Sequence, residues 1–220
     1  DFMLHLNNLM LKKRCLLYLI GLNIMSIGIV LSTRTHLGVA AISSVAYSYS
    51  IFFNISFGLS NVSLYVVFIL IQILLMKSLS YKIIMQIPMA VLAGIFIDIY
   101  DNLIALLNYN FLINFILLLT SNILTGIGVY FMTKADLVLD PGNGIVNTLC
   151  IFFKKPFSYL RIRFDISLVI FTAISGLILV QEIIGIGLGT VISAYLIGKS
   201  VGVTKTLLEN KINHYLKKEQ

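Results

Sequence analysis

The residues best suited to chemistry form one turn, Asp140-Pro-Gly-Asn-Gly144, which precedes a short apolar segment. Aspartate is a favoured N-cap, and proline at the first helical position loses no hydrogen bond, so the turn predicts a helix start. Free N–H groups and the positive dipole end at such a start can bind a polar ligand, and glycines permit close backbone approach. The carboxylate of Asp140 argues against a strongly anionic ligand. An ordinary capped helix at the membrane surface is the alternative.

Several amides and glycines extend this candidate site. Asn147 follows Asn143 by four positions, so the two would share one helical face. Asn23 and Asn122 lie within apolar segments at nearly equivalent positions of an internal repeat described below. We therefore predict a substrate site that contains Asp140, Gly142, Asn143, Gly144, Asn147, Asn23 and Asn122. The alternative for polar residues in apolar segments, which include Gln72 and Gln86, is hydrogen bonding between helices.

A second group of charged residues lies near the end of another apolar segment. Asp98 and Asp101 are three positions apart and would share a helical face. Carboxylates at membrane depth commonly serve ion pathways, so we treat both, with Arg34, as candidates for ion binding or gating. Arg34 could pair with either acid, and a solvated helix end is the alternative. Asp165 is expected to be structural, because Arg161 lies four positions before it.

No arrangement of residues in the chain is typical of an enzyme. The histidines and cysteines are scattered and form no HExxH or CxxC motif: His5, His36, His214, Cys15 and Cys150. Gly198-Lys199-Ser200 resembles the end of a phosphate-binding loop, but Ser193 stands where its first glycine belongs. In the apolar run Gly185-Ile-Gly187-Leu-Gly189, close helix packing explains the glycines better than nucleotide binding. We predict no enzymatic activity, no cofactor and no metal site.

Composition decides the environment that positions these residues. Of 220 residues, 59% are hydrophobic and 11% are charged, and the mean hydropathy is +0.98. Such a chain is too apolar for a soluble globular protein and predicts an all-helical protein in a lipid bilayer. The net charge of +7 is explained by basic cytoplasmic loops, so we expect no nucleic-acid partner.

Hydropathy predicts six membrane-spanning helices. They are Cys15–Ser32, Asn61–Met76, Ile83–Leu103, Phe111–Met132, Phe164–Val180 and Ile183–Val203. Two weaker segments, Val39–Phe53 and Gly142–Phe153, are expected to be re-entrant or interfacial. The predicted organisation is a cytoplasmic tail (1–14), a first membrane repeat (15–107), a second membrane repeat (111–205) and a basic cytoplasmic tail (206–220).

The distribution of basic residues favours six spans over eight. With a cytoplasmic N-terminus, six spans place 15 of the 16 Lys and Arg residues on the cytoplasmic side, and only Arg34 outside. If both weak segments crossed, only 12 of the 16 would remain inside. The six-span topology puts Asn54–Ser60 and Asn108–Tyr109 outside, and Lys77–Lys82 and both termini inside.

The two halves of the chain resemble each other at an offset of 100 residues. Residues 15–60 share ten identities with residues 115–160, without a gap; Ile27-Gly28 matches Ile127-Gly128, and Ile51-Phe52-Phe53 matches Ile151-Phe152-Phe153. Three spans in each half require the second copy to be inverted relative to the first. Inverted repeats with paired short segments are common in secondary transporters, whose substrate binds between the repeats.

Several segments carry a family resemblance. They are Ile27-Gly28, Thr35-His36-Leu37-Gly38, Leu139-Asp140-Pro141-Gly142-Asn143-Gly144, Phe164-Asp165 and Gly185–Gly198. Together they resemble the YczE/YyaS/YitT-like bacterial membrane proteins over roughly residues 15–205. That family often has an acid where Asn143 stands, so the resemblance carries over no ion or proton role for that position. It implies a bacterial inner-membrane protein and supplies no activity.

Three functions fit this sequence. The first is a small-solute transporter whose site lies between two inverted repeats. The second is the substrate-capture membrane subunit of a larger vitamin or metabolite importer, whose partner would be an ATPase-driven module. The third is a non-transporting membrane partner of an export or lipid pathway. The lipid bilayer is a partner in all three.

Overall fold

The computed structural model of the protein describes residues 2–105 and 110–217, with side chains described for residues 10–105 and 110–216. All regular structure in these ranges is helical. The helices are α1 (Phe2–Thr33), α2 (Ala41–Phe52), α3 (Phe57–Met76), α4 (Tyr81–Ile84), α5 (Gln86–Leu103), α6 (Phe111–Ala135), α7 (Pro141–Phe153), α8 (Phe157–Leu179) and α9 (Leu188–Lys217). Six stretches, with α4 and α5 counted as one, are long and apolar enough to cross a membrane. The predicted all-helical, six-span fold is confirmed.

The ends of the spans differ from the prediction. The fifth spanning helix, α8, begins at Phe157 rather than at Phe164. The sixth, α9, begins at Leu188, so Gly185, which has a φ of +76°, and Gly187 lie in the preceding loop and not in a span as predicted. The predicted close packing is present, because Gly187 and Gly189 lie against the backbone of Leu37 and Gly38. Both predicted tails are largely helical, as parts of α1 and α9. The predicted loop Asn108–Tyr109 and the repeat end at residue 107 lie outside the described residues.

The centre of the bundle is a close crossing of α1 and α6. A Cβ atom at Gly21 would lie 2.7 Å from the carbonyl oxygen of Gly128, and one at Gly28 would lie 2.7 Å from that of Ser121. Because residue 21 faces 128 while residue 28 faces 121, the two helices run antiparallel. Small residues that allow such close backbone approach are the usual means by which helices pack in membranes.

The two short helices begin inside the bundle and face each other. A Cβ atom at Gly142, near the start of α7, would lie 2.7 Å from Cδ1 of Ile42, near the start of α2. Helix α7 packs on α3 and α8, and α2 packs on α8 and α3. Asp140, which caps α7, bonds to Tyr65 near the middle of α3, whereas Phe153 ends α7 just before α8 begins. Each short helix therefore runs from inside the bundle toward one end.

Candidate functional site

The Asp140 turn has the predicted cap geometry. Oδ2 of Asp140 accepts a hydrogen bond of 3.2 Å from the backbone N–H of Asn143, and the backbone N–H of Gly142 also donates to the carboxylate. The N–H of Gly144 donates to the carbonyl oxygen of Asp140 at 2.7 Å. The helix begins at Pro141, as predicted. A helix start leaves four N–H groups without intrahelical partners, but Pro141 has no N–H, so three remain here. Asp140 accepts from two of them, those of Gly142 and Asn143.

Charged and hydroxyl groups from other helices surround this turn. The Tyr65 hydroxyl donates a hydrogen bond to Asp140. Arg161 donates from Nη1 to Oδ1 of Asn143 and from Nε to Oδ2 of Asp165, both at 2.9 Å. Burial raises the pKa of the Asp140 carboxyl, and the bonds from Tyr65 and the Asn143 N–H, with the charge of Arg161, offset part of that rise. The expected pairing of Arg161 with Asp165 is confirmed.

A cavity of about 260 Å³ opens beside the turn. Its lining consists of Val129, Met132, Thr133, Val138, Leu139, Asp140, Asn143, Asn147 and Phe157. Three predicted site residues, Asp140, Asn143 and Asn147, thus share one cavity. The remaining wall is mostly apolar, so the cavity combines a carboxylate and amides with a surface suited to an apolar body.

The two predicted glycines pack against other helices. Gly142 faces Ile42 of α2. Gly144 lies over a buried pair of side-chain amides, Gln72 and Gln86, which exchange hydrogen bonds of 2.9 and 3.0 Å. A Cβ atom at Gly144 would lie 2.8 Å from Nε2 of Gln86. The sequence indicated that both glutamines join helices, but it did not show that their pair supports the start of α7.

Asn23 and Asn122 lie apart from this cavity. Oδ1 of Asn23 accepts a 2.5 Å hydrogen bond from the Tyr100 hydroxyl, which joins α1 to α5. Asn122 is 2% exposed, and its Nδ2 has no hydrogen-bond partner among the described residues. Neither side chain is part of the cavity lining. For Asn23, the structure therefore shows the alternative to a ligand site, which is a hydrogen bond between helices.

The second candidate group lies at the other end of the bundle, near the ends of α1 and α5. Arg34 is 7% exposed and donates from Nη2 to the carboxylate of Asp101 at 2.9 Å and from Nε to the carbonyl oxygen of Ile104 at 2.9 Å. Asp98 instead accepts hydrogen bonds from the Ser56 hydroxyl at 2.8 Å and the Gly58 N–H at 2.6 Å. Arg34 therefore pairs with Asp101, while Asp98 fastens α5 to the start of α3.

Residues 12–206 match the model of a protein family described as a family of unknown function, DUF6198. The protein belongs to this family. No curated protein and no solved structure matches the chain. The description of the DUF6198 family names no activity and no link to the YczE/YyaS/YitT-like proteins.

In this DUF6198 protein, the positions 100 residues before the cavity lining are packed. Six of them are at most 8% exposed: Ile29, Ser32, Thr33, Val39, Ser43 and Phe57. Phe57 is 3% exposed whereas Phe157 is 45% exposed, and Val39 is 1% exposed whereas Leu139 is 43% exposed. Regions related by the offset of 100 residues thus differ: one is open as a cavity, and the other is filled.

Proposed function

We propose that this DUF6198 protein is a small-solute transporter whose site lies at the Asp140 turn, between two inverted three-helix repeats. The observation that carries the proposal is the meeting of α2 and α7 inside the bundle, beside a cavity that the Asp140 carboxylate lines. Non-helical backbone at membrane depth is tolerated where it is buried in protein or lines a cavity. Paired short helices of this kind are typical of transporter sites.

The helix contacts support the inverted arrangement. At an offset of 100, residue 21 corresponds to residue 121, and residue 128 corresponds to residue 28. An inverted repeat with a contact between residues 21 and 128 should therefore also have one between residues 121 and 28, and both contacts occur. In the same way, α7 corresponds to α2 and α3 corresponds to α8, and α7 packs on α3 while α2 packs on α8. A two-fold axis in the membrane plane would produce these reciprocal contacts, since it relates antiparallel helices.

The open cavity and the packed opposite region correspond to one state of an alternating-access cycle. In this proposal the cavity faces the cytoplasm, because α6 ends and α8 begins beside it among basic residues such as Lys154 and Lys155. The Arg34–Asp101 pair closes the external end. Together with the sequence resemblance, the basic residues support a bacterial inner-membrane location with both termini in the cytoplasm.

Accessibility to a membrane-impermeant maleimide tests this cycle. In a background with Cys15→Ser and Cys150→Ser, Asn147→Cys should react from the cytoplasmic side, and Ser43→Cys should react slowly from outside. Adding Arg34→Gln should raise the external rate and lower the cytoplasmic one, because the two ends open in alternation. Thr120→Gln, at an exposed position on α6, is the control and should change neither rate. If Arg34→Gln raised the external labelling rate without lowering the cytoplasmic one, alternating access would be contradicted.

Transport itself is tested with purified protein in liposomes. The probe is a bacterial metabolite extract, and mass spectrometry identifies solutes that accumulate with the native protein but not in protein-free liposomes. Asp140→Asn should reduce their accumulation. Accumulation would support the transporter. Copurification with an ATPase-driven module, without uptake by the pure protein, would favour the capture subunit. A protein that shows neither property would be a non-transporting partner.

A further inference from the structure

The charged side chains around the start of α7 include two acids but only one base that contacts them. Arg161 contacts Asp165 directly but reaches Asp140 only through Asn143, whose side chain accepts from the guanidinium and whose backbone N–H binds the carboxylate. Two carboxylates therefore share one guanidinium, and with both ionised the cluster has a net charge of −1. A buried charge without a counter-charge is costly, so the cluster favours one additional positive charge.

The described residues of the neighbouring elements do not supply that charge. Helix α1 contributes Tyr18 and α3 contributes Tyr65, both of which lie within electrostatic range of Asp140. Helix α2 contributes the apolar Ile42. At the end of α6, Lys134 is paired with Glu209 of α9 at 3.4 Å. Asp136, two residues after Lys134, is exposed, and its Oδ2 lies 3.4 Å from Nη1 of Arg14.

The free hydrogen-bonding capacity suits a donor. The guanidinium of Arg161 already binds two oxygen atoms, so it has less capacity left for an anionic ligand. An ammonium group has donors only, which complements the Asp140 carboxylate in the cavity wall. The Tyr18 hydroxyl, which is buried and has no hydrogen-bond partner among the described residues, lies near Asp140 but not in that wall.

We propose that the cavity binds a small organic ammonium ion at Asp140, and that this cation and a proton compete for the carboxylate. The apolar residues Val129, Met132, Val138, Leu139 and Phe157 would contact the carbon skeleton of the ligand. The exchange is balanced: the protonated carboxyl releases H⁺ to solvent, and the resulting carboxylate pairs with the ammonium. This assignment rests on the proposed function, because it names the solute class of the same site.

Calorimetry on the purified full chain in detergent tests the assignment. The probes are butylammonium and phenethylammonium chlorides, and their neutral counterparts are 1-butanol and 2-phenylethanol. We expect at least one ammonium to bind at least tenfold more tightly than its alcohol. Below the pKa of Asp140, the Kd of that ammonium should rise about tenfold for each unit by which the pH falls, because one proton competes with one cation. Titrations in buffers of different ionisation enthalpy should show proton release in that range.

Two variants separate the role of Asp140 from general effects of acidic residues. Asp140→Asn retains an effective N-cap but should lose ammonium binding and proton release. Asp136→Asn removes the exposed acid four residues earlier and should bind like the native protein. Binding of neither ammonium, equal binding of ammonium and alcohol, or unchanged binding by Asp140→Asn would overturn the proposal.

The same proteins in liposomes distinguish this inference from the transport function. Ammonium binding without uptake would contradict transport and leave the cation site standing. Uptake of neutral or anionic solutes that Asp140→Asn does not impair would overturn the cation site and leave transport standing.

Discussion

The Asp140 carboxylate affects stability in two opposite ways. Its hydrogen bond to the N–H of Asn143 stabilises the start of α7, whereas burial of its charge disfavours the folded protein. The sequence predicted the first effect, because an N-cap is a local pattern of neighbouring residues. It could not predict the second, since Tyr65 and Arg161 approach from helices that are distant in the sequence.

The raised pKa of Asp140 gives stability a defined pH dependence. The folded protein binds a proton at this site more tightly than the unfolded chain, whose carboxyl has the ordinary value of 3.8. The resulting stabilisation is full below pH 3.8 and is lost as the pH rises through the folded pKa. We expect Asp140→Asn to lack this component of the pH dependence of the melting temperature in detergent. An unchanged pH dependence would contradict burial of the charge.

Two glycines in the same turn should tolerate a methyl group differently. At Gly144 it would meet the buried amides of Gln72 and Gln86, whereas at Gly142 it would meet the flexible end of Ile42. Separating the amide pair leaves buried polar groups unsatisfied, which costs about 1–3 kcal/mol. Gly144→Ala should therefore lower the melting temperature more than Gly142→Ala does. The reverse order would show that the amide pair adapts freely.

At the scale of elements, the sequence predicted which helices exist better than where they end. Six spans and two short segments follow from hydropathy, and both short segments are helices in the structure. The apolar run from Ile183 to Gly187 predicts the start of a span, but it forms a loop. Hydropathy does not distinguish an apolar loop that packs inside the protein from the start of a span. This loop packs on the loop around Gly38, where the N–H of Val39 donates to the carbonyl oxygen of Gly185 at 3.0 Å.

The crossing of α1 and α6 should depend on Gly128. A Cβ atom there would lie 2.5 Å from the carbonyl oxygen of Gly21, and backbone cannot move aside as a side chain can. Gly128→Val should therefore cost about 1–3 kcal/mol and reduce the yield of monodisperse protein. Gly202→Val is the matched control, because no neighbouring atom of the described residues lies within 4 Å of a Cβ atom at that position. Equal yields and melting temperatures for both variants would contradict close packing at the crossing.

At the scale of the whole molecule, the two halves share an order of helices but not a packing. In the first half, Gly58 and Gly94 bring α3 and α5 into close contact. The positions 100 and 104 residues later are Ser158 on α8 and Gly198 on α9, respectively. Ser158 is exposed, and within the described part of the chain no neighbouring atom lies within 4 Å of a Cβ atom at Gly198. The proposed cycle would exchange these packings, so that α8 and α9 close when the external end opens.

This exchange predicts a disulfide that depends on a distant ion pair. With Cys15 and Cys150 replaced by serine, Ser158→Cys and Gly198→Cys should cross-link slowly in native membranes under mild oxidation. Adding Arg34→Gln removes the pair with Asp101 and should increase the rate, because opening one end would bring α8 and α9 together at the other. Electrophoretic mobility reports the bond, and Thr120→Gln is the control that should leave the rate unchanged. A rate that does not respond to Arg34→Gln would mean that the halves do not move reciprocally, whatever the site binds.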